Sequence, residues 1–156
     1  MDFLFIFGAK YLIVLAPIIG CVYFLSQPRP IQKKLLWLGI GSAVFTGLMA
    51  LVAGRLYVNP RPFMVGHFAP LIPHGPDNGF PSDHTLLLAL VASVLYPFNR
   101  MLSAVLWLIA LLVAISRVYV GVHHPIDVIG SMLIAIVATL IVHALLKQFA
   151  NKITNY

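Results

Sequence analysis

The chain has 156 residues, of which 61% are hydrophobic and only 9% charged, with a mean hydropathy of +0.98 and a formal net charge of +6. Soluble domains run to about 45–50% apolar and about 25% charged residues, so a soluble fold would lack polar surface to cover itself, and the same hydrophobicity excludes disorder. The basic residues form no run or stripe, so nucleic acid is not the expected partner, and their excess reads instead as a record of membrane topology.

A membrane-spanning helix needs about 20 mostly apolar residues, and five stretches qualify or come close. Phe3 to Leu25 is the first, interrupted by Lys10. It lacks the basic start and small-residue cleavage site of a signal peptide and is read as a retained span, with residues 1–9 alternatively lying along the surface. A polar breaker from Ser26 to Lys34 leads into the second span, Leu35 to about Tyr57. Val58 to Asp83 follows, a proline-rich connection of a length that is uncommon and often functional. The third and fourth stretches, Thr85 to about Phe98 and Met101 to Ser116, are short, are joined by a tight turn at Pro97 to Arg100, and are expected to extend into their flanks. Val128 to Leu146 is the fifth. The expected fold is one all-α domain over residues 1–156, a polytopic transmembrane helix bundle of about five spans with room for a short interfacial helix.

Five spans place the N-terminus, the long loop and the 117–126 connection on one face. The other face carries Arg29, Lys33, Lys34, Arg100, Lys147 and Lys152, against Arg55, Arg61, Arg117 and nearby Lys10 on the first. The positive-inside rule makes the six-charge face and the C-terminus cytoplasmic, with the long loop outside.

Most of the unusual polar residues gather on the outward face, in Gly54 to Phe63, Phe80 to His84 and Ser116 to Asp127. All three stretches end spans on the same side and are expected to meet at one depth. Arg55, Arg61 and Arg117 offer planar, permanently charged forks suited to phosphate. Ser82 adds a hydroxyl, and the amides of Asp83 and His84 face an anion if a helix starts there with Ser82 or Asp83 as cap. Asp127 follows His123 by four residues, with Pro125 placed to open a helix between them. A carboxylate accepting from Nδ1–H leaves the Nε2 lone pair free. His123 is therefore the candidate nucleophile, Asp127 its orienter and His84 the general acid and base. Cations would stabilise the phosphoryl oxygens, a task often given to a metal.

These residues resemble the type 2 phosphatidic acid phosphatase superfamily, which includes vanadium haloperoxidases, through its motifs K-x6-RP, PSGH and SR-x5-H-x3-D. The third is complete in Ser116, Arg117, His123 and Asp127, and the second stands as Pro81-Ser82-Asp83-His84, with Asp in place of Gly. The first keeps Arg61-Pro62, while Arg55 stands one residue closer than the motif's Lys, so Arg55 is a candidate and not a full match. Within the superfamily, LYVNPRPF, LIPHGPDNGFPSDHT and SRVYVGVHHPIDV look like the bacitracin-resistance type of undecaprenyl-diphosphate phosphatase. That resemblance implies a haloperoxidase-like helix bundle in a bacterial inner membrane. It also implies hydrolysis of undecaprenyl diphosphate to undecaprenyl phosphate through a phosphohistidine, without cofactor or metal, with a lipid phosphate and membrane lipids as the only implied partners.

Other lipid phosphates (phosphatidylglycerol phosphate, phosphatidic acid, lipid A 1-phosphate) present the same chemistry and stay open as substrates. A metal-dependent hydrolase is a rival, since His123, His124 and Asp127 would begin a ligand set. A small transporter or partner subunit is another, weakened by the absence of an acidic residue in the middle of any apolar stretch. His67 and His74 read as solvated loop residues, and Asp77 and Asn78 as turn formers with substrate contact an alternative.

Overall fold

The computed structural model describes the backbone of residues 1–154 and the side chains of residues 1–149. The side chain of Lys152, counted above with the basic face, lies outside the described residues, as do Asn155 and the C-terminal Tyr156. Seven helices occur among the described residues: α1 (Asp2–Tyr11), α2 (Leu15–Ser26), α3 (Arg29–Leu56), α4 (Pro62–Gly66), α5 (Asp83–Leu95), α6 (Arg100–Tyr119) and α7 (Pro125–Thr154).

Helices α1 and α2 form one apolar unit, Asp2–Ser26, joined through a 3₁₀ turn at Leu12–Val14. Pro17 accounts for the break, because it has no N–H to bond Ile13 and its ring crowds that carbonyl. Three further helices are long and apolar enough to cross a bilayer: Arg29–Leu56, Arg100–Tyr119 and Pro125–Phe149. Asn99 starts α6 as a cap, its side-chain oxygen accepting from the Leu102 amide at 2.9 Å. The four long spans and the shorter α5 make a polytopic all-α bundle of the expected kind.

At 13 residues α5 is about 20 Å long, short of the roughly 30 Å hydrocarbon core. Its position makes that tolerable. It is packed on by α2, α3, α6 and α7, with Leu88, Ala89 and Ala92 fully buried. The 57–82 loop leads into its N-terminal end. Large apolar side chains such as Trp37, Val44, Leu108, Leu112 and Leu133 point outward, while Ser42, Thr46, Ser103, Ser131 and Thr139 lie buried. That inversion suits a lipid-facing bundle, whose helices pack through small residues. At Gly41 an added Cβ would fall 2.8 Å from Val142 on α7, so only glycine lets α3 approach there.

Candidate active site

The three polar stretches converge at one end of the bundle, where α3, α5, α6 and α7 meet the long loop. Helix α3 ends at Leu56 and the chain turns extended. Asn78 clamps that exit. Its side-chain oxygen accepts from the amides of Asn59 (2.8 Å) and Phe80 (3.1 Å), and its Nδ2 donates to the carbonyls of Gly54 (2.8 Å) and Tyr57 (3.2 Å). Gly79 then passes so close that an added Cβ would lie 2.9 Å from Asp127 Oδ2 and 3.1 Å from the Asn59 carbonyl.

Asp127 is fully buried and opens α7 with Pro125 in its first turn. Its Oδ2 accepts from the His124 amide at 2.8 Å, the back-bond of a capping box, and its Oδ1 accepts from Asn59 Nδ2 at 2.7 Å. His123 Nδ1 stands 3.4 Å from Oδ2, near but too poorly aligned for a formed hydrogen bond. At the other side of the ring, Arg61 Nη1 and Arg117 Nη2 each lie 3.3 Å from His123 Nε2. A guanidinium has no acceptor, so Nε2 meets both through its lone pair and the ring proton belongs on Nδ1, toward Asp127. Burial, aided by the charges of Arg117 and Arg61 and opposed by the Asp127 carboxylate, holds the imidazole below its ordinary value of 6.5.

Both arginines are buried. Arg61 is held by the Val122 carbonyl at 2.8 Å from Nη1 and by Asp77 at 2.5 Å from Nε. Arg117 donates to the Ala9 carbonyl at 3.4 Å, and its Nε has no partner among the described residues. Two permanent cations thus meet at His123 Nε2, an arrangement that attracts an anion.

His84 lies half-buried in the first turn of α5, within electrostatic reach of Arg117, His123 and His74. Ser82 precedes that helix as expected but does not cap it through its side chain. Instead it is fully buried, its hydroxyl accepting from Thr85 at 3.3 Å and its amide donating to Ser131 Oγ at 2.8 Å. The uncapped start leaves amide donors of the first turn of α5 without a side-chain partner. Asp83 is exposed and near Arg117. Ser116 spends its hydroxyl on the Leu112 carbonyl at 2.7 Å.

Arg55, the partial motif match, has different surroundings from Arg61 and Arg117. It is exposed on the last turn of α3, on the outward stripe of Leu48, Leu51 and Val52, and makes no hydrogen bond or ion pair with a described residue. Asn59, Asp77 and Asn78 are the residues that motif spacing missed or undervalued, because each acts by holding another site residue. Among the described residues, no group of three or more His, Cys, Asp or Glu side chains is placed to hold a metal ion.

An apolar groove of about 430 Å³ opens beside the site. Leu111, Ile115 and Val118 on α6 face Pro125, Val128 and Met132 on α7, two stripes at helical spacing that reach Tyr119 and Pro125, the residues flanking the 120–124 turn that carries His123.

Residues 33–150 match the PAP2 superfamily. The chain belongs to the PAP2 superfamily. It is 37% identical over 142 residues to the undecaprenyl-diphosphatase BcrC of Bacillus subtilis (strain 168), covering 88% of this chain and 70% of that protein. The crystal structure of Aquifex aeolicus LpxE superposes with a TM-score of 0.69 at 26% identity, covering 90% of this chain and 81% of the other. That of the first transmembrane PAP2 type phosphatidylglycerolphosphate phosphatase from Bacillus subtilis gives 0.58 at 25% identity, covering 93% and 74%. This PAP2-type membrane bundle therefore carries Arg61, His84, Arg117 and His123 at the end where the loop and helix termini converge.

Proposed function

We propose that this PAP2 protein is a membrane lipid phosphatase that hydrolyses undecaprenyl diphosphate to undecaprenyl phosphate and inorganic phosphate. The observation that carries the reaction type is the placing of Arg61 Nη1 and Arg117 Nη2 each 3.3 Å from His123 Nε2, with Asp127 behind the ring. The likeness to BcrC supports the substrate, and the apolar groove beside the site supplies a path for its hydrocarbon chain.

Arg61 and Arg117 hold the oxygens of the terminal phosphate. His123 Nε2 attacks the phosphorus, and the bond to the bridging oxygen breaks as His84 gives that oxygen its proton. The phosphohistidine keeps its Nδ1 proton toward Asp127. Water then attacks phosphorus, His84 takes a proton from it, and the P–N bond breaks to free His123 and phosphate. The charges of the two arginines do the stabilising work, and no metal or cofactor enters the scheme. The protein acts as a single domain in a bacterial inner membrane, its site outward and its C-terminus cytoplasmic, an orientation supported by Arg29, Lys33, Lys34, Arg100 and Lys147 at the opposite helix ends.

The test is phosphate release by purified protein from undecaprenyl diphosphate, phosphatidylglycerol phosphate, phosphatidic acid and lipid A 1-phosphate in EDTA, with His123→Ala as control. Preference for undecaprenyl diphosphate is expected. Preference for phosphatidylglycerol phosphate would replace the substrate and keep the mechanism, and activity lost in EDTA and restored by zinc would replace the mechanism.

A further inference from the structure

The loop residues 71–78 are more firmly built into the site than a solvated turn needs to be. Ile72 is 3% exposed and packs with Ala9, Val120 and Val122, and the Leu71 amide donates to the Val120 carbonyl at 3.0 Å. Five residues on, Asp77 binds Arg61, and Asn78 clamps the end of α3. Between these anchors runs Pro73-His74-Gly75-Pro76, whose two prolines restrict the backbone further.

This fixed segment sets His74 against the reaction centre. The His74 ring lies 6.2 Å from the His123 ring, edge to face at 74°. Its side chain is 23% exposed, and its Nδ1 is buried with no hydrogen-bond partner among the described residues, the Asp77 carboxylate standing 3.9 Å away. The charged and titratable groups around it come from every neighbouring element. They are Arg61 before α4, Asp77 in the loop, His84 on α5, Arg117 on α6 and His123 before α7. With His123 Nε2 directed at the phosphorus, a second imidazole this close is placed to donate to an oxygen of the same phosphate.

We propose that His74 is a phosphate-binding residue of this site, its imidazole N–H donating to a nonbridging oxygen of the phosphate that Arg61 and Arg117 hold. The proposal rests on reading the space between those arginines as the phosphate site. It adds a third histidine to the two that the reaction scheme employs, and it gives the Arg61–Asp77 pair a second purpose, since Asp77 ties the His74 segment to the arginine. Burial and the neighbouring arginine charges hold His74 below its ordinary value of 6.5, so it is neutral in the free site near pH 7. A dianionic phosphate between those cations reverses the local sign and favours the imidazolium. Phosphate binding therefore draws in a proton at His74.

Calorimetry with inorganic phosphate as the probe tests this on purified full-length protein, near pH 7, in two buffers of different ionisation enthalpy to count protons. His74→Ala is expected to weaken phosphate binding roughly tenfold or more, the scale of a lost hydrogen bond to a charged group, and to lower proton uptake. His74→Gln is expected to recover part of the affinity and none of the lost uptake, while His67→Ala behaves as wild type. Thermal unfolding shows whether His74→Ala is folded, and His74→Gln carries the test if it is not. Affinity within twofold of wild type in both variants, or wild-type proton uptake in His74→Gln, would overturn the proposal. Because binding is measured without turnover, a wild type that binds phosphate in this manner yet hydrolyses no lipid phosphate leaves His74 standing and removes the proposed activity. A wild type that binds no phosphate removes both.

Discussion

Asn59 Nδ2 donates to Asp127 Oδ1 at 2.7 Å, joining the exit of α3 to the first turn of α7 across 68 residues of chain. The bond occupies one carboxylate oxygen while the His124 amide occupies the other, and together they fix the face that Asp127 turns to His123. Asn59→Ala is expected to lower kcat roughly tenfold or more, as loss of a hydrogen bond to a buried charge would, with a smaller change in KM. Steady-state phosphate release measures this, and an unchanged kcat would show that Asp127 needs no such support.

The arginines should separate sharply. Arg61→Lys and Arg117→Lys keep a charge but lose the planar fork, and each is expected to reduce kcat/KM by about a hundredfold or more. Arg55→Ala is expected to stay within about twofold of wild type, being exposed and outside the cluster. A large loss in Arg55→Ala would restore it to the phosphate site.

If the groove between α6 and α7 takes the hydrocarbon chain, bulk placed in it should discriminate by chain length. Ile115 and Ile129 line it and are 56% and 51% exposed, so both accept substitution without disturbing the core. Ile115→Trp and Ile129→Trp are expected to raise KM for a long prenyl diphosphate while leaving hydrolysis of a short, water-soluble one unchanged. Equal effects on both substrates would show that the groove holds only bulk lipid.

The acid side of the pH profile should report His123. Attack needs a neutral Nε2, and burial holds the His123 proton affinity below 6.5. The neutral form therefore persists as pH falls through 6.5, and the acid limb of kcat/KM, which reports the free enzyme, is expected below that value. The same sign applies to stability: the unfolded chain binds the proton more readily, so the contribution of neutral His123 is lost as pH falls below 6.5. An acid limb above pH 7 would contradict the assignment.

The placing of these residues was largely legible in the sequence. Spans could be read because lipid-facing helices need long apolar runs, and the meeting of Arg61, His84, Arg117, His123 and Asp127 followed from their place at span ends on one side. What spacing could not convey was direction. Arg55 sits only six residues before Arg61, yet it belongs to the last turn of α3 and shares the outward stripe of Leu48 and Val52. The loop residues were harder still. Irregular backbone has no period, so nothing in the sequence pairs Asp77 with Arg61, Asn78 with Gly54 or Ile72 with Val122, and His74 reads there as a solvated loop residue. In the first span the sequence shows an interruption at Lys10, while the 3₁₀ turn lies at Leu12–Val14 and its cause in Pro17.

Trapping the covalent intermediate tests the central claim most directly. Wild-type protein and His84→Ala, each mixed with undecaprenyl diphosphate labelled in its terminal phosphate and quenched within one turnover, are digested and mapped by mass spectrometry. The account predicts an acid-labile phosphoryl group on His123, absent in His123→Ala, accumulating in His84→Ala wherever breakdown is slowed more than formation. Label found on an aspartate would contradict it.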